Sequence, residues 1–219
     1  MKRVFDFSVA LVVFIGLLPM MMLIALGVVC TSCGPALFTQ ERVGLNGRRF
    51  RLYKFRTMEY RPDESGTSVT TSADRRITPF GRWLRRLKLD ELPQLFNVVV
   101  GDMSFVGPRP DVPEIVANYT PEMRTVLSVP PGLTSYATLH FRDEERLLAG
   151  VSDPESFYRE QVVPLKVSLA MEHVRRRSFG FDLWVLLATC WMLSLGRWIF
   201  PVAAPPAVMN LRRKLEVKS

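Results

Sequence analysis

The 219-residue chain has few of the residues on which common covalent and metal sites are built: 3 cysteines and 2 histidines. The cysteines, Cys30, Cys33 and Cys190, are odd in number and lie in apolar surroundings, which argues against a disulfide framework and fits a reducing compartment. Cys30 and Cys33 have no second pair with which to hold zinc. His140 and His173 are far apart in sequence, so they give little support to a histidine-based nucleophile relay.

Two motifs of nucleotide and ester chemistry are also missing. The chain contains no G-x-x-x-x-G-K-[ST] P-loop, and "GDMSFVG" does not match the G-x-S-x-G elbow of hydrolases. A phosphate site must therefore be built from side chains. An anionic partner is expected, because 29 Lys and Arg against 21 Asp and Glu leave a net charge of +8. Acidic lipid, nucleic acid and phosphorylated substrates all fit that charge.

Charged residues are absent from segment 7–40, and residues 9–29 are almost wholly aliphatic. About 20 apolar residues suffice to cross a bilayer, whereas the apolar region of a signal peptide has roughly 7 to 15. Pro19 falls mid-segment, where it removes a backbone hydrogen bond and bends a helix. Basic residues, which prefer the cytoplasmic face, flank both ends: Lys2, Arg3, Arg42, Arg48 and Arg49. The residues alone leave a re-entrant helix and a simple crossing about equally open.

The rest of the chain predicts short sheet elements and amphipathic helices. Residues 38–58 alternate around Asn46 and Gly47, which predicts a β-hairpin, and "RPDESGTSVTTSAD" predicts an exposed loop. The basic amphipathic pattern of "TPFGRWLRRLKL" suits a helix in the lipid headgroup layer, or an ordinary helix packed on a core. "SVPPGLTSYATLHF" predicts a turn feeding a strand, 153–177 a helix, and 179–200 an aromatic interfacial helix.

Asp90 and Glu91 stand side by side just before a helical pattern that begins at Leu92. A helix N-terminus favours the ionised form of an Asp, and an ionised Asp can attack phosphorus. Adjacent carboxylates repel, and Mg²⁺ relieves this while it takes one or two protein oxygens, so Glu91 is the natural ligand. Arg85 and Arg109 offer donors to a phosphate. Acids in a first helical turn are common, however, so the residues alone favour a purely structural role.

Four strings together resemble the monotopic phosphoglycosyl transferases, which are bacterial sugar transferases: "KRVFDF", "QERVGLNGRRFRLYKFRTM", "RITPFGRWLRRLKL" and "DELPQLFNVVVGDMSFVGPRP". The match runs from Lys2 to about Pro110 and continues more loosely to about Thr189. The resemblance implies transfer of a sugar 1-phosphate from a UDP-sugar to undecaprenyl (polyprenyl) phosphate, with release of UMP. This reaction is the first membrane step of glycoconjugate biosynthesis.

The resemblance also implies roles for single residues. Asp90 would be the nucleophile that forms a covalent phosphosugar intermediate, and Glu91 would contribute to binding the cofactor Mg²⁺. The implied phosphate-binding residues are Arg85, Arg109, Lys54 and Arg56, and the implied helix break is Pro19.

The sequence departs from the family pattern in three places. The helix break is Leu18-Pro19 instead of the usual Ser-Pro. The usual "RPGxTGWAQV" reads "PPGLTSYATL", with Pro130 in place of Arg, which puts one arginine contact and part of the sugar or nucleotide pocket in doubt. The aromatic tail past Thr189 exceeds the minimal family core.

The implied fold is α/β, mostly α, in a monotopic membrane protein. It comprises a kinked re-entrant helix (1–36), a catalytic domain with a small β-hairpin and amphipathic interfacial helices (37–200), and a basic tail (201–219). The expected partners are a UDP-sugar, polyprenyl phosphate and membrane lipid, with no nucleic acid and with a homodimer left open. The expected location is the bacterial cytoplasmic (inner) membrane, with the catalytic domain on the cytoplasmic face. The alternative is a non-catalytic basic membrane adaptor that binds acidic lipid or RNA.

Overall fold

A computed structural model describes residues 2–60, 74–141, 148, 151, 153–193 and 209. The elements up to residue 100 are α1 (Lys2–Thr31), β1 (Leu37–Val43), β2 (Arg49–Phe55), α2 (Pro79–Leu87) and α3 (Gln94–Val100). The later elements are β3 (Ser104–Val106), α4 (Pro113–Ala117), β4 (Gly132–Thr134), α5 (Tyr136–His140), α6 (Pro154–Phe157), α7 (Val163–Arg176) and α8 (Phe179–Leu193). The described part is therefore mostly helical with two small sheets.

The apolar N-terminal segment forms the single helix α1, which continues through Pro19 without interruption. A proline inside a helix removes one hydrogen bond, and the bonds on either side carry the helix on. Within the described ranges, α1 is the helix long and apolar enough to cross a membrane, and only 17% of its most apolar window is buried in the protein. Most of its apolar surface therefore faces away from the folded body. A bend at Pro19 stays a prediction.

The N-terminal end of α1 is tied to the folded body by two cations. The Arg3 guanidinium donates to the backbone carbonyls of Val98 (2.5 Å) and Val99 (2.8 Å) at the end of α3. The Lys2 ammonium forms an ion pair with Asp182 at the start of α8. The Arg3 contacts satisfy helix-end carbonyls with positive charge, which the negative end of α3 favours.

The C-terminal end of α1 is tied to the same body. Arg56, which follows β2, donates to the carbonyls of Ser32 (2.8 Å) and Gly34 (3.2 Å). Gly27 lies against the ring of Phe80 in α2, where a Cβ would come within 2.8 Å of the ring. The absence of a side chain at Gly27 thus permits the close packing of α2 on α1.

Strands β1 and β2 form the predicted antiparallel hairpin, with Leu37 opposite Phe55 and Val43 opposite Arg49. The turn contains Asn46 (φ 54°) and Gly47 (φ 79°), and the left-handed conformation of both explains why this dipeptide stands there. The hairpin prediction is confirmed.

Asn97 joins the hairpin to α3. Its side-chain amide nitrogen donates to the Arg51 carbonyl (2.7 Å), and its side-chain oxygen accepts from the Tyr53 amide (3.2 Å). Asn97 is fully buried, so both bonds form away from water, where leaving either group unpaired would be costly. Asn97 thereby sets the position of β2 relative to α3.

The segment "SVPPGLTSYATLHF" is only partly a strand. Gly132 and Thr134 pair in parallel with Ser104 and Val106, but the chain then turns into α5. Ser135 starts this helix, because its hydroxyl oxygen accepts the backbone N–H of Thr138 at 2.9 Å. The prediction of a strand is therefore wrong for "YATLH".

The two C-terminal helix predictions have different outcomes. Residues 154–176 are helical, close to the predicted 153–177, but a π-helical segment, Tyr158–Val162, separates α6 from α7. The helix predicted over 179–200 forms as α8 up to Leu193, and its interfacial position stays a prediction. Residues 194–200, all but the last residue of the predicted loop 61–74, and the tail 201–219, Met209 apart, lie outside the described residues. The domain boundaries stay predictions.

Candidate active site

The Asp90–Glu91 pair lies in the turn between α2 and α3. Lys88 ends α2 in the left-handed conformation (φ 59°), and its backbone N–H satisfies carbonyls of the last helical turn. A single 3-10 turn, Leu89–Glu91, then leads through Pro93 into α3. The pair therefore precedes α3, as its sequence position predicted.

Asp90 is buried in this turn, with 8% of its surface exposed. Its Oδ1 is a buried oxygen with no hydrogen-bond partner among the residues that the structure describes. Burial and the charge of Glu91 raise the pKa of Asp90, although Lys88, Lys54 and Arg85 act in the opposite direction. A helix N-terminus is expected to lower the pKa of Asp90. Burial and the adjacent anion raise it by more than the helix end lowers it.

Glu91 is held by Arg109 through two parallel bonds. The guanidinium donates from Nη2 to Oε1 at 2.8 Å and from Nη1 to Oε2 at 3.3 Å. Burial alone would raise the pKa of Glu91, but Arg109, Lys88 and Lys54 outweigh it and bring the pKa to about 2. Glu91 is therefore an anion at physiological pH.

The turn that carries Arg109 is fixed on both sides. The Pro108 carbonyl accepts the backbone N–H of Gly132 at 2.9 Å, and the Pro110 carbonyl accepts Nη1 of Arg42 at 3.0 Å. Sequence reasoning treated Arg42 only as a basic flank of the membrane segment. The contact joins residues 68 positions apart, so no local pattern could have revealed it.

Lys54 and Arg85 lie close enough to Asp90 to act on it electrostatically, and Lys54 also acts on Glu91. Their predicted binding of substrate phosphate stays a prediction. Burial, with Arg42 and Arg109, lowers the pKa of Lys54 to about 8, while Glu91 and Asp90 raise it. Arg85 lowers the pKa of Asp90. The cations thus outnumber the two carboxylates, which suits a site for an anionic ligand.

Arg56 lies elsewhere. It is 6% exposed, and its guanidinium donates to the carbonyls of Ser32, Cys33 and Gly34 at the end of α1. These bonds make Arg56 an anchor for the membrane helix, and the structure does not bring it to the carboxylate pair. The "KFR" string gave no sign that its two cations face different parts of the molecule.

The donor set determines which metal the site can hold. Among the described residues, no three His, Cys, Asp or Glu side chains form a group that could enclose a metal ion. Mg²⁺, however, usually takes only one or two carboxylates and completes its shell with water and substrate phosphate. Two adjacent carboxylates, one with an unpartnered buried oxygen, fit a Mg²⁺ ion that is held jointly with a phosphate ligand.

Comparison with known proteins gives matches along most of the chain. The chain is 37% identical over 194 residues to UDP-glucose:undecaprenyl-phosphate glucose-1-phosphate transferase of Xanthomonas campestris pv. campestris, across 86% of this chain and 37% of that protein. It is 36% identical over 191 residues to the protein of the same name from Caulobacter vibrioides, across 86% of this chain and 67% of that protein.

A third relative is named for a different sugar. UDP-N-acetylgalactosamine-undecaprenyl-phosphate N-acetylgalactosaminephosphotransferase of Aeromonas hydrophila is 37% identical over 139 residues, across 62% of this chain and 33% of that protein. The chain spans about a third of the length of two of these relatives and two thirds of the other. Residues 1–196 match the family described as bacterial sugar transferase. This match and these identities show that the chain belongs to the bacterial sugar transferase family.

Proposed function

We propose that the protein transfers a sugar 1-phosphate from a UDP-sugar to undecaprenyl or another polyprenyl phosphate and releases UMP, as the first membrane step of glycoconjugate biosynthesis. One observation carries the proposal: the buried Asp90, one oxygen of which has no hydrogen-bond partner within the described ranges, lies beside the ionised Glu91 and near Arg85 and Lys54. The names of the relatives, which join a sugar nucleotide to undecaprenyl phosphate, support the same reaction.

The proposed reaction has two displacements at one phosphorus. An oxygen of Asp90 attacks the sugar-bearing phosphorus, the bond from that phosphorus to UMP breaks, and UMP leaves with the electron pair. An oxygen of the polyprenyl phosphate then attacks the same phosphorus, and the bond to Asp90 breaks. The second step restores the carboxylate, so the reaction needs no other reactant.

The chain's cations provide binding and charge compensation in both steps. Arg85 and Lys54 act electrostatically on Asp90 and would attract the diphosphate, and Arg109 offers a planar pair of donors that matches phosphate oxygens. Glu91 would hold Mg²⁺, which when bound supplies further neutralisation of phosphate charge.

The direct test measures UMP release and adduct formation. A panel of UDP-sugars with undecaprenyl phosphate should give UMP for at least one sugar. Enzyme plus that UDP-sugar, without acceptor, should gain the mass of one phosphosugar in intact-mass analysis. Binding to acidic vesicles without UMP release from any UDP-sugar would favour the adaptor, whose binding should weaken steeply with salt.

We also propose that α1 enters and leaves the bacterial inner membrane on the cytoplasmic face. Arg3 ties its first turn to α3, and Arg56 ties its end to β2. A straight helix of this length spans about 45 Å, more than the roughly 30 Å hydrocarbon core. Asn97 joins α3 to β2, so both ends of α1 are attached to one folded body. A helix that crossed the membrane would place its two ends, and therefore parts of this body, on opposite sides. A helix that enters and returns keeps the body on one side.

Cysteine labelling tests this arrangement. Val4→Cys and Leu45→Cys should both react with a membrane-impermeant maleimide from the same side of sealed vesicles. The three native cysteines are exposed, so both variants are made in a background with serine at Cys30, Cys33 and Cys190. Reaction of Val4→Cys and Leu45→Cys from opposite sides would mean that α1 crosses.

Lys54 predicts a dependence of activity on pH. Its ammonium group would attract substrate phosphate, and its pKa lies at about 8 in the ligand-free protein. Raising the pH through this value removes the charge, so kcat/KM for the UDP-sugar should fall on the alkaline side of about pH 8. Lys54→Arg keeps the charge at any accessible pH, so the fall should disappear or move to higher pH.

Lys166→Arg is the matched control, because it makes the same change at a lysine of a different element. Lys166 lies in α7 and contacts Tyr158, whereas Lys54 lies in β2. Its pH profile should equal that of the unaltered protein. An alkaline fall that persists unchanged in Lys54→Arg would assign the titration to another group.

A further inference from the structure

The ion pair between Glu91 and Arg109 occupies two groups that the proposed reaction needs separately. Glu91 is a ligand for the metal, and Arg109 is a donor to the diphosphate. In the structure they bind each other, with both Glu91 oxygens accepting hydrogen bonds from the guanidinium at 2.8 and 3.3 Å. A cation or a phosphate that binds to these same atoms must open this pair.

We propose that Arg109 closes the metal-binding carboxylate in the ligand-free protein, so that the divalent cation and the diphosphate bind cooperatively by exchanging partners with the pair. The inference rests on the proposed function. On binding, Glu91 leaves Arg109 for the cation, and Arg109 leaves Glu91 for the phosphate oxygens. No covalent bond forms or breaks in this exchange.

The low exposure of Glu91 explains the cooperativity. The side chain of Glu91 is only 16% exposed, whereas that of Arg109 is 38% exposed. A cation that binds alone must break the two charge-assisted bonds between Glu91 and the guanidinium, which is costly. A phosphate that binds alone takes the guanidinium away from Glu91 and leaves this largely buried carboxylate without its cation. When both bind, each charge gains a new partner, and the pair is broken once for two ligands.

The exchange requires movement of side chains and not of the backbone. The carbonyls of Pro108 and Pro110 are fixed by Gly132 and Arg42, so the turn stays in place. The guanidinium of Arg109 is the more exposed partner, and rotation about its side-chain bonds can carry it away from Glu91. A device of this kind would select a metal–nucleotide pair over free metal.

A metal held jointly with the diphosphate would also touch it directly, and that contact alone would make the two ligands cooperative. The test must therefore separate this contact from the ion pair. Omitting the diphosphate separates the two effects, because the exchange also makes a prediction for the metal alone. A protein without the Arg109 guanidinium should bind the metal more tightly than the unaltered protein.

The experiment titrates the full chain, in lipid nanodiscs without nucleotide, with Mn²⁺ as a paramagnetic stand-in for Mg²⁺ and follows free Mn²⁺ by electron paramagnetic resonance. Arg109→Gln should bind Mn²⁺ at least about fivefold more tightly than the unaltered protein. Arg109→Lys keeps the charge but cannot form the two parallel bonds, so it should fall between them. Glu91→Gln should lose most of the binding.

Lys88→Asn is the control for charge. Lys88 lowers the pKa of Glu91 through its charge, and Asn is well tolerated in its left-handed backbone conformation. Its gain in Mn²⁺ affinity should be clearly smaller than that of Arg109→Gln. Equal gains in the two variants would mean that loss of a positive charge alone explains the effect, which would count against the exchange. No gain in Arg109→Gln would overturn the exchange.

UMP release from the same preparations keeps this inference separate from the proposed function. If the unaltered protein releases UMP while Arg109→Gln binds Mn²⁺ no more tightly, the exchange fails and the reaction stands. If no UDP-sugar gives UMP, the reaction fails, whatever the Mn²⁺ titration shows. Saturating UDP should also raise Mn²⁺ affinity less in Arg109→Gln than in the unaltered protein, and an equal rise would count against the exchange.

Discussion

Replacing Asp90 with asparagine is expected to lower UMP release by at least about a thousandfold, the scale seen when a nucleophile is removed from an enzyme. The amide has almost the same shape as the carboxylate but is a far weaker nucleophile towards phosphorus. Arg85, Lys54 and the Glu91–Arg109 pair all remain, so the loss would come from the missing anionic oxygen. The phosphosugar adduct seen without acceptor should disappear at the same time.

The stability of Asp90→Asn gives an internal check. The pKa of Asp90 is raised by burial and by Glu91, so the folded protein disfavours its charge. Removing that charge at pH 7 should leave the melting temperature unchanged or raise it slightly, as occurs where a residue needed for function destabilises the folded protein. Glu122→Gln, at an exposed carboxylate, should retain full activity. Turnover that survives in Asp90→Asn would reject Asp90 as nucleophile.

Replacing Glu91 with glutamine is expected to lower UMP release by on the order of a hundredfold or more, because charge stabilisation by a bound metal contributes several kcal/mol to such reactions. The side-chain amide can still accept a hydrogen bond from Arg109, but it is a poor ligand for Mg²⁺. Chelation by EDTA should stop the unaltered protein, and added Mg²⁺ should restore it.

The response to Mg²⁺ makes this prediction specific. Glu91→Gln should need far more Mg²⁺ for half-maximal activity, whereas a merely misfolded protein would show no such shift. Glu155→Gln is a suitable control, because Glu155 pairs with Arg159 one helical turn away on the surface, where such pairs contribute little. Full activity after chelation would exclude the metal role of Glu91.

The parts of this structure that sequence predicted are those coded by neighbouring residues. Asn46-Gly47 predicts the hairpin because its two residues can adopt the left-handed backbone that the turn needs. The carboxylate pair precedes α3 as expected, since Pro93 is tolerated before a helix and an apolar helical pattern follows it. Each signal lies within a few residues of the feature that it predicts.

The parts that sequence did not predict depend on distant contacts. Arg42 reaches Pro110, and Arg56 reaches the end of α1, through folds of the chain that no local pattern encodes. The raised pKa of Asp90 follows from burial, which is a property of the packed site and not of the residue's position in a helix. Family resemblance pointed to Asp90, Glu91 and Arg109, but the ion pair between Glu91 and Arg109 could be seen only in three dimensions.

The double attachment of α1 has a consequence for how the protein would meet the proposed lipid substrate. Because Arg3 and Arg56 fix the helix to the body that carries Asp90, the depth of the helix in one leaflet would set the height of the Asp90 carboxylate above the acyl chains. The depth of a helix that turned back within one leaflet would not depend on the thickness of the other leaflet. The enzyme would then work equally well in thin and thick bilayers, whereas a spanning anchor of the same length would tilt and carry the carboxylate with it.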